Sequence, residues 1–142
     1  MISEVEAVER LNTEFYAAFE DGDLDRMGQV WGDDDAAGGA VVCVHPGGPP
    51  IAGRAAVLRS WALMMANTSY IQFVLTDVQT RIFGDTAVLT CSENILTGSD
   101  DDSASFAAGG RVATTNAFVR TMNGWRMWLH HGSPVLLRVE EE

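Results

Sequence analysis

Basic side chains are scarce in this chain. Lysine and arginine together number 9 against 20 aspartates and glutamates, giving a formal net charge of -11 over 142 residues. That balance argues against nucleic acid, whose phosphates need cationic surface, and against an anionic membrane surface. Part of the excess sits in Asp33-Asp34-Asp35, Asp100-Asp101-Asp102 and Glu140-Glu141-Glu142, which read as solvated loops and ends. Long hydrophobic runs are missing too: none approaches the ~18 residues that span a bilayer. The opening Met1-Ile2-Ser3-Glu4 has neither the basic patch nor the apolar stretch of a secretion signal, so the expected compartment is the cytoplasm. Cysteine is limited to Cys43 and Cys91, which there read as reduced, buried thiols. No C-x-x-C or H-E-x-x-H spacing occurs, and no metal or cofactor is expected. Ser133 lies near His131, but nothing resembles a nucleophile elbow, and neither cysteine has an evident activating cation.

The apolar fraction, 46% with 20% charged residues, is that of a soluble globular protein, and the length fits one domain over residues 1–142. Val5, Val8, Leu11, Phe15 and Phe19 recur at three- and four-residue steps, which predicts an amphipathic helix ending before Gly22. Asp23 is placed to cap a second, short helix carrying Leu24, Met27 and Trp31. After a loop, Val41-Val42-Cys43-Val44-His45 reads as a strand stopped by Pro46, followed by a Pro/Gly-rich turn through Gly53. Residues 54–67 read as a third helix with Val57, Trp61, Met64 and Met65 on one side, a stripe usual for a core and also found lining apolar pockets.

From Thr68 the pattern turns to strands. Residues 70–83 and 86–97 flank Gly84-Asp85, and residues 111–122 and 125–131 flank Asn123-Gly124, the strongest short hairpin signal. Between the hairpins, residues 98–110 read as a lid or a floppy connection. Helices first and sheet afterwards make an α+β domain.

Strand alternation then places side chains on faces. Counting outward from Asn123-Gly124 sets Phe118 opposite Leu129 and Asn116 opposite His131, with Trp125, Met127, Leu129 and His131 facing inward. Counting from Gly84-Asp85 groups Ala87, Leu89, Cys91 and Glu93 against Ile82, Val78 and Thr76. An inward carboxylate, imidazole and amide each cost about 1–3 kcal/mol if left without partners. Glu93, Asn116 and His131 therefore form either a mutually satisfied network or the polar part of a cavity wall. His45 would lie inward with Val41 and Cys43, at the end of its strand.

"FYAAFEDGDLDRMGQVW", the strand before "HPGG", "IAGRAAVLRSW" and "TTNAFVRTMNGWRMWLHHGSP", in this order, resemble the SnoaL-like branch of the nuclear-transport-factor-two-like superfamily from Val5 to Pro134. The resemblance implies a cone: a strongly curved mixed sheet wrapped around the long N-terminal helix, with two further short helices, enclosing a pocket. It implies homodimers through the outer sheet face, where Trp128 and His130 would lie. "WRMWLHHGSP" also resembles the last strand of the association domain of calcium/calmodulin-dependent kinase. Carried over from ketosteroid isomerase, the base position falls on His45, the oxyanion tyrosine on Phe15 (Tyr16 being next), and the protonated aspartate on Asn116. None of the three residue types is kept, so steroid isomerisation is not expected.

The function expected is binding of a small hydrophobic or carbonyl-bearing molecule in the pocket, without required catalysis. The alternative is an isomerase, cyclase or dehydratase in which His45 moves a proton next to a carbonyl and Asn116 binds the oxygen. The ligand-binding candidates are Phe15, Tyr16, Phe19, Trp31, Cys43, Trp61, Cys91, Glu93, Phe118 and His131.

Overall fold

The computed structural model describes residues 1–98 and 106–136; the tracts at 100–102 and 140–142 and most of the 98–110 connection lie outside these. The elements run α1 (Glu4–Glu20), α2 (Leu24–Val30), β1 (Val42–Val44), β2 (Pro50–Ala52), α3 (Arg54–Ala66), β3 (Ile71–Phe83), β4 (Thr86–Gly98), β5 (Phe106–Thr121) and β6 (Gly124–Pro134). The strands form one open, curved sheet in the order β2-β1-β6-β5-β4-β3. Among these neighbours β1 and β6 run parallel and the other pairs antiparallel, so the α+β mixed-sheet cone read from the sequence is the fold observed. No described helix is long and apolar enough to cross a membrane.

Helix α1 starts where Ser3 accepts from the Glu6 amide and Glu6 reaches back to the Ser3 amide, at 3.1 and 3.0 Å. This reciprocal cap satisfies two otherwise orphaned donors. Replacing Ser3 by alanine is expected to cost about 1 kcal/mol in urea unfolding. The buried face of α1 carries Val8, Asn12, Phe15, Tyr16, Ala18 and Phe19, while Val5 is exposed. Gly22 takes a left-handed φ of 64° to end the helix, and Asp23 then accepts from the Arg26 amide to start α2. Helix α2 is held at its other end by Arg54, whose guanidinium donates to the carbonyls of Gly28 and Trp31, both at 2.6 Å. One cation thus caps α2 and fixes the start of α3 beside it.

Two features of the sheet depart from the sequence-based pairing. The Pro/Gly-rich stretch contains a short strand, β2, pairing with β1 from Val42↔Ala52 to Val44↔Pro50. Strand β5 also begins earlier than expected, with Phe106 opposite Gly98. The first hairpin turn falls where expected, with Phe83 opposite Thr86, whereas the second lies one residue earlier, at Met122-Asn123, with Thr121 opposite Gly124 and Arg120 opposite Trp125. Each hairpin then slips by a bulge, which adds a residue to one strand and bends it. In β3 the slip lies between Thr76 and Gln79, with Asp77 at φ 56°, so Glu93 faces Leu75 instead of Thr76. In β6 Trp128 is the extra residue: Phe118 pairs with Met127 while Ala117 pairs with Leu129.

The second bulge reverses an assignment. Beyond Trp128 the inward positions shift by one, so His130 is buried and pairs with Asn116, whereas His131 is exposed on the opposite face. Placing His131 inward and His130 outward, as uninterrupted alternation implied, is therefore corrected.

Candidate functional site

A cavity of about 80 Å³ lies between the helices and the concave side of the sheet. Helix α1 contributes Phe15, Tyr16 and Phe19 to its wall, and α3 contributes Trp61 and Met64. Strands β3 and β4 contribute Ile71, Phe73, Glu93 and Ile95, while His45 and Pro46 follow β1 and His130 comes from β6. The rings meet edge-on: Phe15 and Trp61 are 5.2 Å apart at 90°, and Phe19 and Trp61 are 5.1 Å apart at 66°. Such contacts hold the wall in one shape.

Six of the sequence candidates thus line one cavity: Phe15, Tyr16, Phe19, His45, Trp61 and Glu93. Trp31 and Phe118 are buried in the adjoining core instead. Cys43 lies behind His45, its sulfur 3.7 Å from Nε2, and Cys91 lies 4.0 Å from the Tyr16 hydroxyl. Burial pushes these thiols up to about 12 and about 11, so neither is primed as a nucleophile. Asn116 is wholly buried and does not reach the cavity wall, and His131 belongs to a shallow polar depression on the outer face.

The polar groups form a chain whose hydrogen positions can be worked out. The Tyr16 hydroxyl donates to Glu93 Oε2 at 2.6 Å, leaving its oxygen to accept from Asn116 Nδ2 at 3.3 Å. Asn116 Nδ2 also donates to Asn12 at 2.8 Å, which fixes the amide and makes its Oδ1 the acceptor for His130 Nδ1 at 2.6 Å. His130 thus carries its proton on Nδ1, and Nε2 keeps a lone pair. The Ser60 hydroxyl donates to the Val57 carbonyl at 2.7 Å, so it accepts from His45 Nε2 at 3.0 Å. The second nitrogen of His45, Nδ1, is then an unprotonated base, buried and without a protein partner.

Burial sets the protonation of these groups. It pushes His130 down to about 3, with His45 and His131 adding to the effect, and it lowers His45 as well. Both rings are consequently neutral at pH 7. Burial raises Glu93 above an ordinary carboxyl, against the opposing pull of the hydrogen bond from Tyr16. Tyr16 is raised well above its usual value by burial first and by Glu93 second, so it stays a phenol. Among the described residues no group of three or more His, Cys, Asp or Glu is placed to hold a metal ion.

His130, Asn12 and Ser60 were not singled out from the sequence. His130 was hidden by the bulge. Asn12 left a signal, since it sits among Val8, Phe15 and Phe19 on the buried face of α1, where a polar side chain needs a partner. Ser60 left none.

A curved sheet closed by helices over an apolar cavity with a few polar groups defines a nuclear-transport-factor-two-like domain. The family model described as SnoaL-like domain matches residues 8–137, and the chain belongs to that family. It is similar to a proposed dehydratase of the NTF2-like family from Streptomyces avermitilis, 48% identical, with a TM-score of 0.85 over 94% of this chain and 97% of that one. It is also similar to a proposed calcium/calmodulin-dependent protein kinase type II association domain from Thiobacillus denitrificans. That likeness is 35% identity with a TM-score of 0.75, over 89% of this chain and 94% of the other. Among curated proteins it is 29% identical over 131 residues to the F-box protein SKIP8 of Arabidopsis thaliana. The match takes in 92% of this chain but about half, 51%, of that relative.

Proposed function

We propose that the cavity is the active site of a cofactor-free acid–base enzyme, of the isomerase, cyclase or dehydratase kind, acting on a small, mainly apolar carbonyl compound. The observation that carries this reading is the His45 lone pair. Nδ1 is held neutral by burial, its tautomer is set by Ser60, and no protein group occupies it. A base without a protein partner, beside an apolar cavity, is suited to taking a proton from carbon. Glu93, on the opposite wall, retains its proton to higher pH than a free carboxyl and is the group to meet the oxygen.

In the step proposed, the C–H bond next to the carbonyl breaks and its proton passes to His45 Nδ1. The electron pair forms the carbon–carbon double bond of an enol, and the oxygen takes a proton from Glu93. Return of the His45 proton to a different carbon isomerises the substrate; where the adjoining carbon carries a hydroxyl, that group leaves as water with the proton from His45, and the enol proton returns to Glu93 as the carbonyl re-forms. The likeness to the Streptomyces avermitilis protein supports the second outcome.

The first step has a simple readout. In D2O the protein is expected to exchange the hydrogens next to the carbonyl of butan-2-one faster than buffer does. The rate needs neutral His45 and protonated Glu93. It should therefore fall on the acid side through a pKa below 6.5 and on the basic side through one above 4.5. Exchange at the buffer rate across this range would remove the catalytic reading and leave a binding pocket without chemistry.

A further inference from the structure

We infer that His130 is the specificity-determining residue of this site and selects substrates carrying a hydroxyl group, so the substrate class is a small hydroxylated carbonyl compound, not a plain ketone. This rests on the cavity being the active site, as proposed above, and adds the chemistry of its occupant.

The argument runs from hydrogen-bond direction. Tyr16 gives its only proton to Glu93, which fixes the Asn116 amide, which in turn fixes the proton of His130 on Nδ1. Asn116 lies outside the cavity wall, so the bonded edge of the ring is turned away and the Nε2 edge belongs to the wall. Nε2 accepts from no described residue. The ring is only 3% exposed as a residue and lies against Phe15 and Trp61, so an occupant of the cavity takes the place of the little water that reaches it. A bound hydroxyl satisfies Nε2, while a carbonyl or ether oxygen placed there sets two lone pairs against each other. Discrimination built on a buried polar group of this sort exceeds what shape alone achieves. His45 Nδ1 is likewise an acceptor and takes the reacting proton, so the two imidazoles have separate tasks. The volume, about 80 Å³, suits the reacting end of a molecule of a few carbons.

The test uses a matched pair, 3-hydroxybutan-2-one and butan-2-one, titrated into the intact protein and followed by amide NMR shifts. The hydroxylated ketone is expected to bind about tenfold more tightly. A His130→Phe variant should bring the two affinities together. Because that ring is buried, a wild-type measurement is paired with it: the nitrogen-15 spectrum should show Nδ1 protonated and Nε2 bare. The Nε2 resonance should shift with 3-hydroxybutan-2-one and stay in place with butan-2-one. Equal affinities, no saturable shift from either probe, a protonated Nε2, or a preference that survives in folded His130→Phe protein each overturn the inference. Hydroxyl preference without deuterium exchange sinks the catalytic reading and leaves His130 selecting a bound hydroxylated ligand, not a substrate. Exchange without hydroxyl preference does the reverse.

Discussion

Replacing His45 with glutamine is expected to slow deuterium exchange into a bound ketone by about 10²–10⁴-fold, the usual worth of a positioned general base. The melting temperature should stay close to that of the wild type. The side chain is half-buried, its strand is held by backbone pairing to β2 and β6, and a glutamine amide can still donate to Ser60. What the substitution removes is the bare nitrogen, since an amide has no lone pair of comparable basicity. Ser60→Ala supplies the intermediate case. It keeps the imidazole but frees the tautomer, so the rate should fall by about tenfold and the acid limb of the pH profile should move. Both variants would be compared with wild type by proton NMR of butan-2-one in D2O, beside thermal melts. A His45→Gln protein that exchanges at the wild-type rate would show that the proton goes elsewhere, and His45 would then be only a polar cap on β1.

The features legible in the sequence were those written in local chemistry. The stripe from Val8 to Phe19, the cap at Asp23 and the turn at Gly84-Asp85 each depend on residues close together in the chain, and each falls where the spacing put it, while the second turn is displaced by one residue to Met122-Asn123. Inward placement of Glu93 also follows from alternation along β4, a strand whose own alternation holds from Ala87 to Glu93. The misplacements came from long-range geometry. Trp128 bulges because the sheet has to bend around α1 and α3, and no residue type in "WRMWLHH" announces a two-against-one pairing. One extra residue exchanged the environments of two adjacent histidines. The inner site consequently includes His130, and Asn116 serves as the group that orients it rather than one lining the wall. The strand β2 was hidden for a different reason. Three residues between prolines and glycines carry too little period to distinguish from a turn, and pairing with β1 supplies the missing information.

The protein is expected to lose stability steeply in acid, with His130 the largest single cause. Unfolded, this histidine takes up a proton near 6.5; folded, burial delays that to about 3. Between these values the unfolded chain holds the extra proton, so each unit of acidification favours unfolding by about 1.4 kcal/mol from this residue alone. His45, lowered by the same cause, acts in the same direction over a shorter range. Glu93 acts the other way. Its folded pKa is raised, so from its ordinary 4.5 up to that raised value the folded chain holds the extra proton, and acidification there favours folding. Below 4.5 both states carry the Glu93 proton and the offset no longer grows, which leaves His130 unopposed by it between pH 4.5 and 3. The ion pairs of Glu4 with Arg120 and Glu14 with Arg26 are partly exposed and screened, and add little. Urea unfolding at pH 7, 5.5, 4.5 and 3.5 should show the steepest loss in the last interval. A His130→Phe variant carries no such proton, so its stability should fall by about one proton's slope less over the same range. Parallel loss in the two proteins would mean that His130 is not buried as a neutral ring, and the tautomer that leaves its Nε2 bare would go with it.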